Sequence, residues 1–179
     1  MKSIKRKKVT FLLSGNGSNL YKILKKNHKS KKFITLSIIS NNQLSKQIKE
    51  IIKSNDLEIK IYEKVSILKP KLIGDCDVIF SVGYLKKIES EIIENYEIIN
   101  LHPSLLPKYK GLMTHKRMRI NNELKYGYSI HKVTKYLDDG EILRQKKRNI
   151  NTLSEAELTI NHKHLEHQQV FKDLVSFLN

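Results

Sequence analysis

The chain has 179 residues, 39% of them hydrophobic and 29% charged, and its 34 Lys+Arg against 18 Asp+Glu leave a formal net charge of +16. That length fits one domain with a sizeable core, residues 1–179, and the apolar content excludes a globally disordered chain. No apolar run approaches the roughly 20 residues that span a bilayer, and the single cysteine, Cys76, supplies neither an internal disulfide nor a set of metal ligands.

The start MKSIKRKK leads into only a short apolar run before a glycine-bearing loop, which reads as neither a signal peptide nor a membrane anchor. A reducing, cytoplasmic setting is expected, with no membrane partner. The positive charge admits nucleic acid as a partner. Yet the lysines are scattered through every segment and no aromatic stacking motif interleaves them, so nucleic-acid binding is not the expected function. A positive field equally attracts a small, multiply anionic substrate.

In chain order, VTFLL (Val9–Leu13), FITLSII (Phe33–Ile39) and LEIKIY (Leu57–Tyr62) read as strands. Between them, NLYKILKKNHK and SKQIKEIIKSN repeat apolar residues at three- and four-residue spacings, as amphipathic helices do. DVIFSVG (Asp77–Gly83) follows as a strand, KKIESEIIENY (Lys86–Tyr96) as a helix and EIINLH as a fifth strand. This alternation predicts an α/β fold, an open and mostly parallel twisted sheet with helices on both faces. Beyond it, MTHKRMRINN reads as a helix, YGYSIHKV and EILRQKKRNI as strands, and SEAELTINHKHLEHQQVFKDLVSFLN as a long final helix.

Ligands of such sheets gather at the carboxyl ends of the strands, where SGNGSNL and NLH both lie. Gly15 and Gly17 permit tight turns ahead of a helix whose amides and dipole favour phosphate near Ser18 and Asn19; the same stretch also suits an ordinary capped turn. Asn100 and His102 share one face of the fifth strand, and an amide and a protonated imidazole can both donate to an oxygen that becomes negative during acyl transfer. The same side of the later strand carries Ser129 and His131, with Asp138 and Asp139 in the loop after it. A carboxylate near His102 raises its pKa and accepts a proton, while LDDG taken alone is a polar turn. His164 and His167 are three apart on the last helix, but without a third ligand they do not make a metal site.

Together these segments resemble the glycinamide ribonucleotide formyltransferases, folate-dependent enzymes of purine synthesis, over most of the chain. SGNGSNL resembles their phosphate loop, NLHPSLLPKYKGLMTH their signature, YGYSIHKVTKYLDDGEIL the segment bearing their catalytic aspartate, and LEHQQVF their late substrate-binding helix. The resemblance implies a Rossmann-like formyltransferase fold, 10-formyltetrahydrofolate as co-substrate, glycinamide ribonucleotide as acceptor, no metal, and a monomer or homodimer. It makes Asn100, His102 and Asp138 the catalytic trio and assigns the ribonucleotide to Gly17, Ser18, Asn19 and Glu166. The pterin falls to Leu85, Lys86, Ile88 and Ile93 and to the backbone of Thr134–Asp138, with Ser129, His131 and His115 in support.

Several positions depart from the family pattern. Met113 stands for the first histidine of the HTH triplet, and Asp139 replaces the first glycine of LDGG, setting a second negative charge beside Asp138. Lys86 and Lys87 alter the pterin stretch, HQQVFKDL lacks a proline, and the chain reads as a shortened member. Methionyl-tRNA formyltransferase shares the Asn-x-His and Asp chemistry but lacks SGNGSNL; formyltetrahydrofolate hydrolase has the similar loop LDEG. A drifted, non-catalytic, RNA-binding relative is the alternative of another class.

Overall fold

A computed structural model describes residues 5–151 and 154–179; the first four residues of the basic start lie outside them. Its strands are β1 (Lys8–Leu13), β2 (Ile34–Ser40), β3 (Lys60–Tyr62), β4 (Val78–Ser81), β5 (Ile98–His102), β6 (Lys125–Lys132) and β7 (Ile142–Asn149). The helices are α1 (Ser18–Ser30), α2 (Lys46–Ser54), α3 (Pro70–Ile73), α4 (Ser90–Asn95), α5 (Thr114–Ile120) and α6 (Glu155–Leu178). The strands form one seven-stranded sheet in the order β3-β2-β1-β4-β5-β6-β7. The first five are parallel to one another, while β6 runs antiparallel to β5 and β7 antiparallel to β6.

Strand alternation divides the core between the two sheet faces. Val9, Phe11 and Leu13 of β1, Phe80 of β4, Ile99 and Leu101 of β5 and Tyr128 of β6 pack with α1, α2, α5 and α6. Leu12, Ile39, Ile79 and Ile98 pack on the other face with Ile73 of α3 and Ile92 of α4. Asn100 and His102 therefore extend the α3/α4 face, in line with Ile98. A buried Tyr128 hydroxyl donates to Asp173 at 2.5 Å and ties β6 to α6. Burial and that contact push the Tyr128 pKa far above its ordinary value.

Two elements are shorter than their apolar patterns predict. Only Lys60–Tyr62 of the third segment pairs, because β2 offers Ser37–Ile39 as partners there, while Leu57 and Ile59 pack from the preceding loop against the α1/α2 side. At the helical pattern Lys86–Tyr96, the preceding Leu85 N–H donates to Ser14 Oγ, Lys86 reaches the Ser66 carbonyl and Glu89 is extended, so α4 begins only at Ser90. α3 went unforeseen; Pro70 opens it at a position where the missing N–H costs nothing. Ser154 and Glu157 form a reciprocal capping box at the start of α6. At the far edge of the sheet, β7 is largely exposed and carries Arg144, Lys146, Lys147 and Arg148.

Gly17 sets the entry to α1. Its φ is +68°, and a Cβ there would lie 2.5 Å from Ile48 Cδ1 and 2.8 Å from Leu13 Cδ1. Gly15 has open space around it and no such φ. Gly17→Ala is expected to lose about 1–2 kcal/mol of stability from the left-handed backbone alone. Gly15→Ala is expected to stay within about 0.5 kcal/mol. Urea unfolding midpoints of both variants check this; equal midpoints count against the left-handed backbone assigned to Gly17.

Candidate active site

The antiparallel register of β5 and β6 builds the first cluster. Asn100 lies opposite His131 and His102 opposite Ser129, so all four side chains share the α3/α4 face at the carboxyl end of β5. The strand stops at His102, before Pro103. Ser129 Oγ donates to the Ser104 carbonyl at 2.7 Å and accepts from Leu106 N–H at 3.0 Å and Gln145 Nε2 at 2.9 Å. The loop after β5 is thereby fastened to β6 and β7.

Asp138, in the left-handed conformation with φ of +48°, brings its carboxylate under both imidazoles. Its Oδ2 lies 3.3 Å from His102 Nδ1 and accepts from Gly111 N–H at 2.8 Å; its Oδ1 lies 3.5 Å from His131 Nε2. Burial acts to raise the Asp138 pKa, but contact with His131, the Gly111 N–H and His102 outweighs it and keeps the carboxyl below its ordinary range. It is ionised near neutrality.

His131 Nδ1–H donates to the Lys132 carbonyl at 2.8 Å; its Nε2 accepts from Asn100 Nδ2 at 3.2 Å when unprotonated and faces Asp138 Oδ1 as a donor when protonated. That bond orients the amide while occupying one of its two N–H groups. His102 Nε2–H donates to the Tyr109 carbonyl at 2.9 Å. Burial is the dominant influence on His102 and takes its pKa below the ordinary value, although the Tyr109 carbonyl and Asp138 pull it upward. Both His102 nitrogens thus face acceptors, an environment complete only when the ring holds two protons.

Asp139 does not crowd this cluster. Its carboxylate pairs with Lys110 of the preceding loop, whose backbone carbonyl in turn accepts from Arg117 Nη1 at 2.6 Å. The exchange of glycine for Asp139 is matched by a cation on the facing loop. Tyr136, Leu137, Leu112 and Met113 on these two loops are exposed.

A second cluster lies on the α1/α6 side. Asn19 Nδ2 and Lys163 Nζ donate to Glu166 Oε2 at 2.8 and 2.7 Å, and His162 Nε2 lies 3.6 Å from Glu166 Oε1. Glu166 is only 2% exposed. Burial acts to raise its pKa, but Lys163, His162 and Asn19 overcome it and hold the carboxyl low. His115 Nε2 and His162 Nδ1 are 2.6 Å apart. The glycine-bearing turn ahead of Ser18 opens α1 with no acidic residue in its first turn, leaving the helix end electropositive.

The expected folate stretch divides. Leu85 and Lys86 are exposed, whereas Ile88 is buried and Ile93 partly buried in the α3/α4 core. Ser14 joins this stretch to the turn before α1: its N–H donates to the Gly83 carbonyl, and its Oγ accepts from Leu85 N–H and donates to Asn41 Oδ1. His164 is exposed and His167 half-buried; among the described residues no group of three His, Cys, Asp or Glu is arranged to hold a metal ion.

Sequence reasoning overlooked His162, Lys163, Lys110 and the Tyr109 carbonyl. His162 stands four residues before Glu166, a spacing that places both on one helix face and was available as a signal. Its pairing with His115, 47 positions away, was not.

A family model described as formyl transferase matches residues 7–174. The chain belongs to the formyl transferase family. Phosphoribosylglycinamide formyltransferase of Escherichia coli K12 is 30% identical over 151 residues, covering 78% of this chain and 71% of that protein. Methionyl-tRNA formyltransferase of Helicobacter pylori is 36% identical over 101 residues, 54% of this chain and 33% of that protein. Among solved structures, phosphoribosylglycinamide formyltransferase from Coxiella burnetii superposes with a TM-score of 0.83 at 29% identity, covering 97% of this chain and 88% of that one. The sheet and its helices are those of this formyl transferase fold.

Burial gives this formyl transferase an acid-sensitive element. His162 has its pKa taken from 6.5 to about 4, chiefly by burial. The unfolded chain binds this proton below pH 6.5 and the folded chain does not until about pH 4, so stability is full above that window and falls as pH drops through it. His162→Gln is expected to remove a part of the acid loss on the order of 3 kcal/mol, read from urea unfolding at pH 7 and pH 4.5. Parallel pH dependences in the two proteins would contradict this assignment.

Proposed function

We propose that the chain transfers the formyl group of 10-formyltetrahydrofolate to the amine of glycinamide ribonucleotide, acting as a phosphoribosylglycinamide formyltransferase within one domain. The observation that carries this reading is the constellation at the end of β5: Asn100 and His102 on one face, with Asp138 3.3 Å from His102. The likeness to the Escherichia coli enzyme over 78% of the chain supports it. A cytoplasmic setting accords with this biosynthetic role.

In this reading the amine attacks the formyl carbon, the carbonyl electron pair moves onto oxygen, and the tetrahedral intermediate collapses as the folate nitrogen leaves with the proton that the amine gave up, returned to it from Asp138 through water. Asn100 offers the formyl oxygen the amide N–H that His131 does not use. His102 joins it by sharing or turning its Nε2–H from the Tyr109 carbonyl. Burial lowers the His102 pKa in the free protein, so the ring takes its second proton from solvent as negative charge on the oxygen comes to favour the imidazolium. Asp138 then stabilises the imidazolium and receives the amine proton through water.

Gly17, Ser18 and Asn19 hold the phosphate through the amides at the start of α1, and Glu166 serves the ribose end. Leu85 supplies an exposed apolar wall for the pterin, over Ile88 and Ile93, which reinforce it from the core. Lys86 lies at its rim.

Purified protein with both substrates is expected to produce deformylated folate only when the ribonucleotide is present. Folate breakdown without it would favour hydrolase activity. Asn100→Ala and Asp138→Asn are each expected to lower turnover by about 10²–10³-fold while circular dichroism stays unchanged. Near-normal turnover in either variant would remove that residue from the mechanism.

A further inference from the structure

His162 is 1% exposed, sits in the interior between α5, α6 and β6, and belongs to neither the oxyanion cluster nor the phosphate turn. Its surroundings determine where its proton resides. Glu166, accepting Lys163 and Asn19 at Oε2, presents Oε1 to His162 Nε2 at 3.6 Å. That separation is beyond hydrogen-bond reach and Nε2 has no hydrogen-bond partner among the described residues, but the negative charge of Oε1 favours an N–H there over a lone pair, so Nε2 carries the proton and Nδ1 of the neutral ring accepts. At 2.6 Å from that Nδ1, His115 Nε2 must then be the donor. The two rings meet edge-on with centroids 4.8 Å apart, which leaves little freedom to rearrange.

We propose that His162 is a positioning residue for ribonucleotide binding, holding the half-buried His115 in its Nε2–H tautomer and linking it to the buried Glu166 carboxylate. The inference rests on the reading of Glu166 and the α1 turn as the ribonucleotide end of the site. Asn19 connects that turn to the same carboxylate at 2.8 Å. The chain of contacts runs from a half-buried imidazole through a buried one to an anion, so the inner groups fix the hydrogen-bonding character of the outer one.

The groups bearing on this relay come from every neighbouring element: Glu166 and Lys163 of α6, His115 of α5, Tyr126 of β6 at a ring separation of 5.7 Å, and His102 of β5. Glu155 at the start of α6 also acts on His115. Burial favours the neutral form of both rings, in keeping with the directed tautomers.

The test combines nitrogen-15 spectra of the histidines with kinetics of the full chain, using His162→Val and His162→Gln. In the unaltered protein His115 is expected in the single Nε2–H tautomer; in His162→Val it becomes a tautomer mixture. The KM for glycinamide ribonucleotide is expected to rise about tenfold with kcat changed less than about threefold, and the acidic limb of kcat/KM to move by about 0.5 pH unit or more. His162→Gln, whose amide also offers an acceptor and a donor, is expected to restore most of the ribonucleotide KM. If the valine variant does not fold, His162→Asn, too short to keep both contacts, replaces it. An unchanged His115 tautomer, or an unchanged ribonucleotide KM and pH limb in a folded variant, overturns the proposal. If the unaltered protein does not formylate the ribonucleotide, the functional reading fails first, and the positioning role falls with it even where the tautomer result supports the relay.

Discussion

The antiparallel pairing of β5 with β6 is the constraint on which the site depends. A slip of one residue would turn every side chain of one strand to the opposite face, separating Asn100 from His131 and His102 from Ser129. Nonpolar side chains enforce the register from behind: Ile99 and Leu101 alternate with the polar pair on β5, and Tyr128 and Ile130 alternate with Ser129 and His131 on β6. The hydrophobic core thus specifies the positions of polar groups that contribute little to it. Ser129 extends this control beyond the sheet by holding the loop after β5 at two points while accepting from Gln145 of β7.

The charges are arranged in two groups. Asp138 is shared by two imidazoles and a backbone amide, while Glu166 is shared by Lys163, Asn19 and His162. Each carboxylate is buried deeply enough for its partners to matter, yet remains ionised because donors surround it. The sheet's carboxyl edge lies between them, with the Asp138 group on the α3/α4 side and the Glu166 group on the α1/α6 side.

Much of this was legible in the chain because the relevant signals are local. Among the described residues, periodicity located the seven strands and five of the six helices, and the i, i+2 spacing placed Asn100 with His102 and Ser129 with His131. β3 and α4 proved shorter because the available partner strand and the loop crossing Ser14 set their limits, and no local pattern encodes those. The meeting of His115 with His162 depends on how α5 packs against α6. Likewise, Asp139 beside Asp138 read as repulsion until Lys110 was found facing it.

The exposed cations of β7 bear on the excess of positive charge. An edge strand offers unpaired backbone groups to any other strand, and two copies meeting there would bring the exposed Arg144, Lys147 and Arg148 of one against the same cations of the other. Electrostatic repulsion at that border discourages the sheet from growing from one molecule into the next. Part of the net charge thereby protects the fold from its own backbone, independently of any ligand the protein binds.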